Sequence, residues 1–138
     1  LSFVLDSSVS LSWCFEDERT AATITLLHRI AESGATSPQH WPLEALNGLL
    51  MAERRKRLDT PRRRQLAAFL RALPITLDAE TTAHIWTTTQ GLAERFRLTA
   101  YDAAYLELAQ RRALPLATLD QQLRDAGSAL GVALLGRE

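Results

Sequence analysis

Short apolar runs in this chain alternate with longer stretches of helical period. Residues 3–5 form an apolar run ending at Asp6, and Ser7–Ser12 supply turn and capping chemistry before Trp13 and Phe15. That pattern predicts a strand and then a short helix. Between residues 20 and 32, Ala22, Leu26, Leu27 and Ile30 recur at helical spacing, and Gly34 marks the stop. Ala35–Ser37 reads as a brief strand. Pro38 and Pro42 bracket a loop, after which Leu43, Leu46, Leu49, Leu50 and Met51 predict a helix with one apolar face and a basic end.

Thr60 and Pro61 open the next helix, with Leu66, Phe69, Leu70 and Leu73 as its buried face and Pro74 as its end. Ile75–Leu77 are β-type residues. Asp78 is placed to cap a long helix carrying Ala83, Trp86, Leu92 and Phe96, weakened midway by Gly91. Thr99 and Asp102 have capping-box spacing and open a helix that runs to about Arg112. A strand at 115–119, a helix over Gln121–Ala129 and a last apolar run at 132–135 complete the order.

Alternating short strands and longer helices imply right-handed crossovers. The expected class is α/β: a three-layer α/β/α sandwich with a mainly parallel sheet of four to five strands. No repeat, linker or biased tract divides residues 1–138, so one domain is expected. In such sheets the binding crevice lies beyond the carboxyl ends of the strands, where strand order reverses.

Sixteen Lys and Arg balance sixteen Asp and Glu, so no overall positive field points to a nucleic acid and any such partner must be recognised locally. The single Cys14 excludes an internal disulfide and a cysteine-based zinc site, and its neighbours Trp13 and Phe15 suggest burial. No apolar run approaches the ~20 residues that cross a bilayer, and no signal pattern opens the chain, so a cytoplasmic protein without a membrane partner is expected.

The acidic residues change the picture most. Asp6 follows the first strand and Asp120 the strand at 115–119, which puts both at the carboxyl edge of the sheet. Glu44 and Asp102 each lie in the first turn of a helix expected to begin near that edge. If the four meet at ~7 Å in an effective dielectric of ~20, each ionised pair repels by about 2 kcal/mol, and the set by roughly 12 to 14 kcal/mol. That rivals the stability of a whole domain, so such a cluster must be partly protonated or hold a cation. Carboxylates without His or Cys suit Mg²⁺ or Mn²⁺, ions that serve phosphate chemistry. Each acid also has a plain structural role: Asp102 and Asp120 as helix caps, Glu44 as a first-turn acid and Asp6 as a turn residue. Glu16, Asp17 and Glu18 read as a solvated loop.

The segments FVLDSSV, WPLEALNGLL, LTAYDAAYLELA and LATLDQQL resemble, in order and spacing, the four acidic motifs of PIN-domain ribonucleases, in particular the VapC toxins. The resemblance runs from Phe3 to about Leu135. It implies that Asp6, Glu44, Asp102 and Asp120 form the catalytic and Mg²⁺- or Mn²⁺-binding set, Glu44 acting directly or through water. It also implies that Ser8, Asn47, Thr99 and Thr118 line the pocket. The implied reaction is endonucleolytic RNA hydrolysis that leaves a 5′-phosphate and a 3′-hydroxyl. The implied partners are an RNA substrate, a second copy of the chain, and a cognate antitoxin whose C-terminal segment crosses the acidic pocket.

Two basic clusters, Arg54, Arg55, Lys56 and Arg57, then Arg62, Arg63 and Arg64, flank the turn near Leu58 and are candidate phosphate contacts or simply a solvated hairpin. Trp13, Phe15, Trp41 and Trp86 are expected in the core rather than in a partner groove. The main alternative is a non-catalytic PIN-like module that binds RNA or protein. A phospho-acceptor receiver or phosphatase is disfavoured because Asp6 is followed by serines and no Lys follows the late strand. No Gly-rich phosphate loop is present.

Overall fold

The computed structural model describes residues 2–137. Five short parallel strands form one sheet: β1 (Val4–Leu5), β2 (Ala35–Ser37), β3 (Ile75–Leu77), β4 (Leu116–Ala117) and β5 (Leu134–Leu135), in the order β3-β2-β1-β4-β5. Val4 registers with Thr36 on one side and Leu116 on the other. The chain winds outward from β1 through β2 to β3, then returns to place β4 and β5 on the other flank of β1. Strand order therefore reverses between β1 and β4. Right-handed crossovers put helices α1 (Ser7–Ser12), α2 (Ala21–Ser33), α3 (Trp41–Arg54) and α4 (Thr60–Ala72) on one face. The other face carries α5 (Gln90–Phe96), α6 (Ala100–Arg112) and α7 (Gln121–Ala129), and α1 packs on α3 while α6 packs on α5, α7, β1 and β4. The expected three-layer α/β sandwich is the observed fold.

Local chemistry explains the element ends. The Thr20 hydroxyl accepts from the Thr23 backbone N–H at 3.1 Å, and Thr23 returns the bond to the Thr20 N–H at 3.1 Å, which caps α2. Gly34 ends α2 at φ 69°, where a side chain would be strained and a Cβ would lie 3.0 Å from the Pro74 carbonyl. β2 follows at once, as expected.

Phe3 and the central-strand residues Val4, Leu5, Leu116 and Ala117 are fully buried, and α6 buries every residue from Ala103 to Ala109. A helix enclosed in this way carries little amphipathic signal of its own. Trp13, Phe15 and Trp41 lie in the core as expected, and so does Cys14. Among the described residues, no helix is long and apolar enough to cross a membrane.

Three expectations need correction. Asp78 does not cap a long helix. It sits after β3 and faces Arg111, and the chain then passes through a 3-10 turn (Thr82–His84) and a π-helical turn (Ile85–Thr89) before α5. The threonines explain the break, being stiff β-branched residues whose hydroxyls compete for backbone partners, as Thr81 does with the Asp78 carbonyl at 3.1 Å. The interruption therefore lies upstream of Gly91. Trp86 is 82% exposed rather than in the core, because the broken helix gives its buried side to Thr89 and Leu92. In α3 the buried face is Trp41, Ala45, Leu49 and Ala52, whereas Leu43 is 72% exposed and Leu46 40%. Trp41 sets that rotation, since its indole N–H donates to the buried Ser10 hydroxyl at 2.8 Å.

Candidate active site

The carboxyl end of β1 delivers Asp6 to the point where strand order reverses. Asp6 is only 3% exposed, and its Oδ2 accepts from the Ser8 and Thr118 hydroxyls, each at 2.7 Å. Ser8 in turn accepts from the Leu119 N–H at 3.0 Å, and Thr118 from the Asp120 N–H at 3.1 Å. This lattice ties the loops after β1 and β4 together and turns Asp120 toward the same crevice. Arg124 of α7 braces the second loop by donating to the carbonyls of Thr118 at 2.7 Å and Leu135 at 3.0 Å.

Asp120 also caps α7, its Oδ2 accepting from the Leu123 N–H at 2.8 Å. Thr99 caps α6 by accepting from the Asp102 N–H at 3.1 Å, which places the Asp102 side chain in the first turn. Capping and site-building therefore coexist in both acids. Glu44 lies in the first turn of α3, and its Oε1 accepts from the buried Tyr105 hydroxyl at 2.7 Å. His40 lies 3.5 Å from the same oxygen.

The electrostatics show that the four acids share a field. Burial and then the charges of Asp6, Asp120 and Glu44 push the Asp102 carboxyl up to about 6. Burial raises Asp6 as well, against the lowering effect of the Ser8 and Thr118 hydroxyls. Burial, with the charges of Asp6 and Glu44 and the bond to Glu44, pushes the Tyr105 phenol far above its ordinary range, so it acts as a donor.

Asn47 and Thr99 are exposed at the rim, while Ser8 and Thr118 lie inside against Asp6. The basic residues lie elsewhere. Arg54 is ten positions beyond Glu44, about 15 Å along α3. Arg57 pairs with Asp17 at 3.3 Å and Glu18 at 3.1 Å, so that acidic turn partners the basic cluster. Arg63 pairs with Glu53 at 2.7 Å. Sequence reasoning missed Tyr105, His40 and Arg124. The first was signalled by its spacing, three residues after Asp102 and hence on the same helical face.

The donor set suits a hard divalent cation: four carboxylates from four separate segments, of which Asp6 and Asp102 are held against burial and repulsion that positive charge would relieve. Asp6, Asp102, Asp120 and Glu44 are the residues that could hold it. Among the described residues, no group of three or more His, Cys, Asp or Glu side chains draws together into a ready-formed metal cage.

Comparison with known proteins bears on the fold and the family. The solved structure of PAE2754 from Pyrobaculum aerophilum superposes with a TM-score of 0.68 at 19% identity, over 91% of this chain and 84% of that one. FitAcB from Neisseria gonorrhoeae superposes with a TM-score of 0.67 at 17% identity, over 97% and 96% of the two chains. These likenesses show the fold. No curated protein sequence matches the chain significantly. The sequence model of the PIN domain matches residues 3–128, nearly the whole chain, so this protein belongs to the PIN-domain family, whose members are generally nucleases that use divalent metal ions.

Proposed function

We propose that the protein is a Mg²⁺- or Mn²⁺-dependent endoribonuclease and the toxin component of a toxin-antitoxin pair. One observation carries the reading: burial and then the charges of Asp6, Asp120 and Glu44, acids from three other segments, raise the Asp102 carboxyl at the reversal point of a PIN-type sheet. Asp6, Asp102 and Asp120 are proposed as cation ligands, with Glu44 as a fourth ligand through water or as the group that orients the attacking water. When bound, the cation supplies an activated water and neutralises charge on the phosphate oxygens.

The chain's own residues prepare for this. The Ser8 and Thr118 hydroxyls hold Asp6 in one orientation through Oδ2, and the Ser7 hydroxyl reaches Oδ1 at 3.5 Å. Tyr105 fixes Glu44 through Oε1. The acidity of the pocket supports an antitoxin segment that brings an Arg, since a guanidinium complements clustered carboxylates. Leu77 and Trp86, 40% and 82% exposed, offer apolar contacts for a homodimer or an antitoxin. The basic residues near Leu58 are proposed to engage RNA phosphates remote from the acids.

A non-catalytic binding module is the second reading, favoured by the lack of a ready-formed cage among the described residues. Cleavage of labelled RNA by the purified protein decides between them. The ribonuclease reading expects cleavage with Mg²⁺ or Mn²⁺ that disappears with chelator and in Asp6→Asn; no metal-dependent cleavage would reject it. The toxin reading expects growth arrest on expression that Asp6→Asn relieves.

A further inference from the structure

The crevice has an aromatic wall that the carboxylate chemistry does not use. Tyr101 immediately precedes Asp102, yet 61% of this large side chain is exposed. The His40 ring stands beside it, with centroids 5.8 Å apart and planes tilted by 51°. His40 is fixed from two sides: its Nε2 lies in hydrogen-bond contact with the Tyr101 carbonyl at 3.1 Å, and its ring meets Tyr105 edge-on at 5.1 Å. Together with Leu43, Glu44, Asn47 and Leu50, these two rings line an open cavity of about 540 Å³.

We infer that Tyr101, backed by His40, is a stacking platform for an unpaired nucleobase of single-stranded RNA next to the phosphate that is cut. The inference rests on the ribonuclease reading and deepens it. Continuity with the acids is the argument for this occupant: Glu44 belongs to both the cavity and the carboxylate cluster, and Tyr101 is the neighbour of Asp102. Through Glu44 the wall borders the acids, so the base of a nucleotide whose phosphate is held there has this wall beside it on the proposed reading. Aromatic faces bind unstacked bases of any identity, whereas a duplex keeps its bases stacked and out of reach. Asn47 lines the same cavity, and its carboxamide, which hydrogen-bonds no other described residue, offers a donor and an acceptor to a base edge.

The test compares a fluorescently labelled single-stranded oligoribonucleotide with a fully abasic oligomer of the same backbone. Binding is measured with calcium in place of magnesium, and cleavage is measured separately with magnesium. Wild type is expected to bind the oligonucleotide at least about tenfold more tightly than the abasic probe, and Tyr101→Ala to lose most of that ratio while Tyr101→Trp keeps it. The abasic probe should bind wild type and Tyr101→Ala alike. An unchanged ratio in Tyr101→Ala overturns the platform, and so does equal weakening toward both probes, which would mark a structural role at the start of α6. Normal RNA binding by Tyr101→Ala combined with loss of dimerisation or of antitoxin binding would assign the wall to a protein partner and overturn it as well. Base-dependent binding without cleavage would sink the ribonuclease reading and leave the platform standing; cleavage indifferent to Tyr101 would do the reverse.

Discussion

The Thr118 hydroxyl donates to Asp6 Oδ2 at 2.7 Å across 112 positions of sequence. It joins the two central strands at the place where a PIN-type site must form, and it offsets part of the cost of burying a carboxylate.

Replacing Thr118 by Val keeps the shape and removes the bond. Asp6 then has one 2.7 Å hydroxyl partner instead of two, and the Asp120 N–H loses its acceptor. The expected cost is about 1 to 3 kcal/mol of stability. Because the hydroxyl lowers the Asp6 carboxyl against burial, its loss moves the acid limb of the cleavage pH profile to higher pH. Thr118→Ser should behave as wild type; an unmoved limb in the Val variant would contradict this account.

Asp102 should make the metal-free protein less stable as pH rises. Its folded carboxyl titrates near 6, above its ordinary value of 3.8, so the folded state binds the proton more tightly than the unfolded state. Stability is full below about pH 4, falls as pH passes through about 6, and is level beyond. Since Asp102 is only half-buried, the loss is about 2 kcal/mol or less. Asp102→Asn removes the repelling charge and should flatten this slope and abolish cleavage. Melting curves with chelator at pH 5 and pH 8 measure the effect, and an identical slope in the variant would refute it.

Divalent cations should raise the melting temperature of the wild type more than that of Asp102→Asn or Asp6→Asn. Linkage gives about 2.7 kcal/mol at a hundredfold excess over Kd for the intact site. Equal shifts in all three proteins would count against a shared cation site.

A second charged cluster predicts the opposite pH behaviour. Arg111 donates to the nearly buried Glu107 at 2.7 Å and also binds Asp78. Burial alone would raise Asp78, but the Arg111 hydrogen bonds hold its carboxyl below 3.8, so this pair's contribution is present at neutral pH and lost as pH falls through the depressed value. Arg111→Met leaves two carboxylates buried without a counter-charge and should cost about 3 to 5 kcal/mol. The variant should recover stability between about pH 7.5 and about pH 4.5 as its uncompensated carboxylates take up protons, whereas wild type keeps this contribution over that range because Asp78 stays ionised; thermal melts at the two values separate them.

By itself the sequence determined the parallel α/β class and most of the order of elements, and it singled out the four acids as candidates. Those features rest on local periodicity, on the chemistry of Thr20, Gly34 and Thr99 at helix ends, and on acids placed just after apolar strands. The tertiary structure alone decided which face of α3 is buried, because that rotation depends on the Trp41–Ser10 bond between two helices. It also decided the partner of Asp78, which Arg111 claims from a segment 33 positions away. The contact of Tyr105 with Glu44 spans 61 positions, and no window of sequence contains both ends of it. Periodicity reports what a residue prefers among its near neighbours; the partner that satisfies a buried hydroxyl or carboxylate is chosen only when distant segments pack.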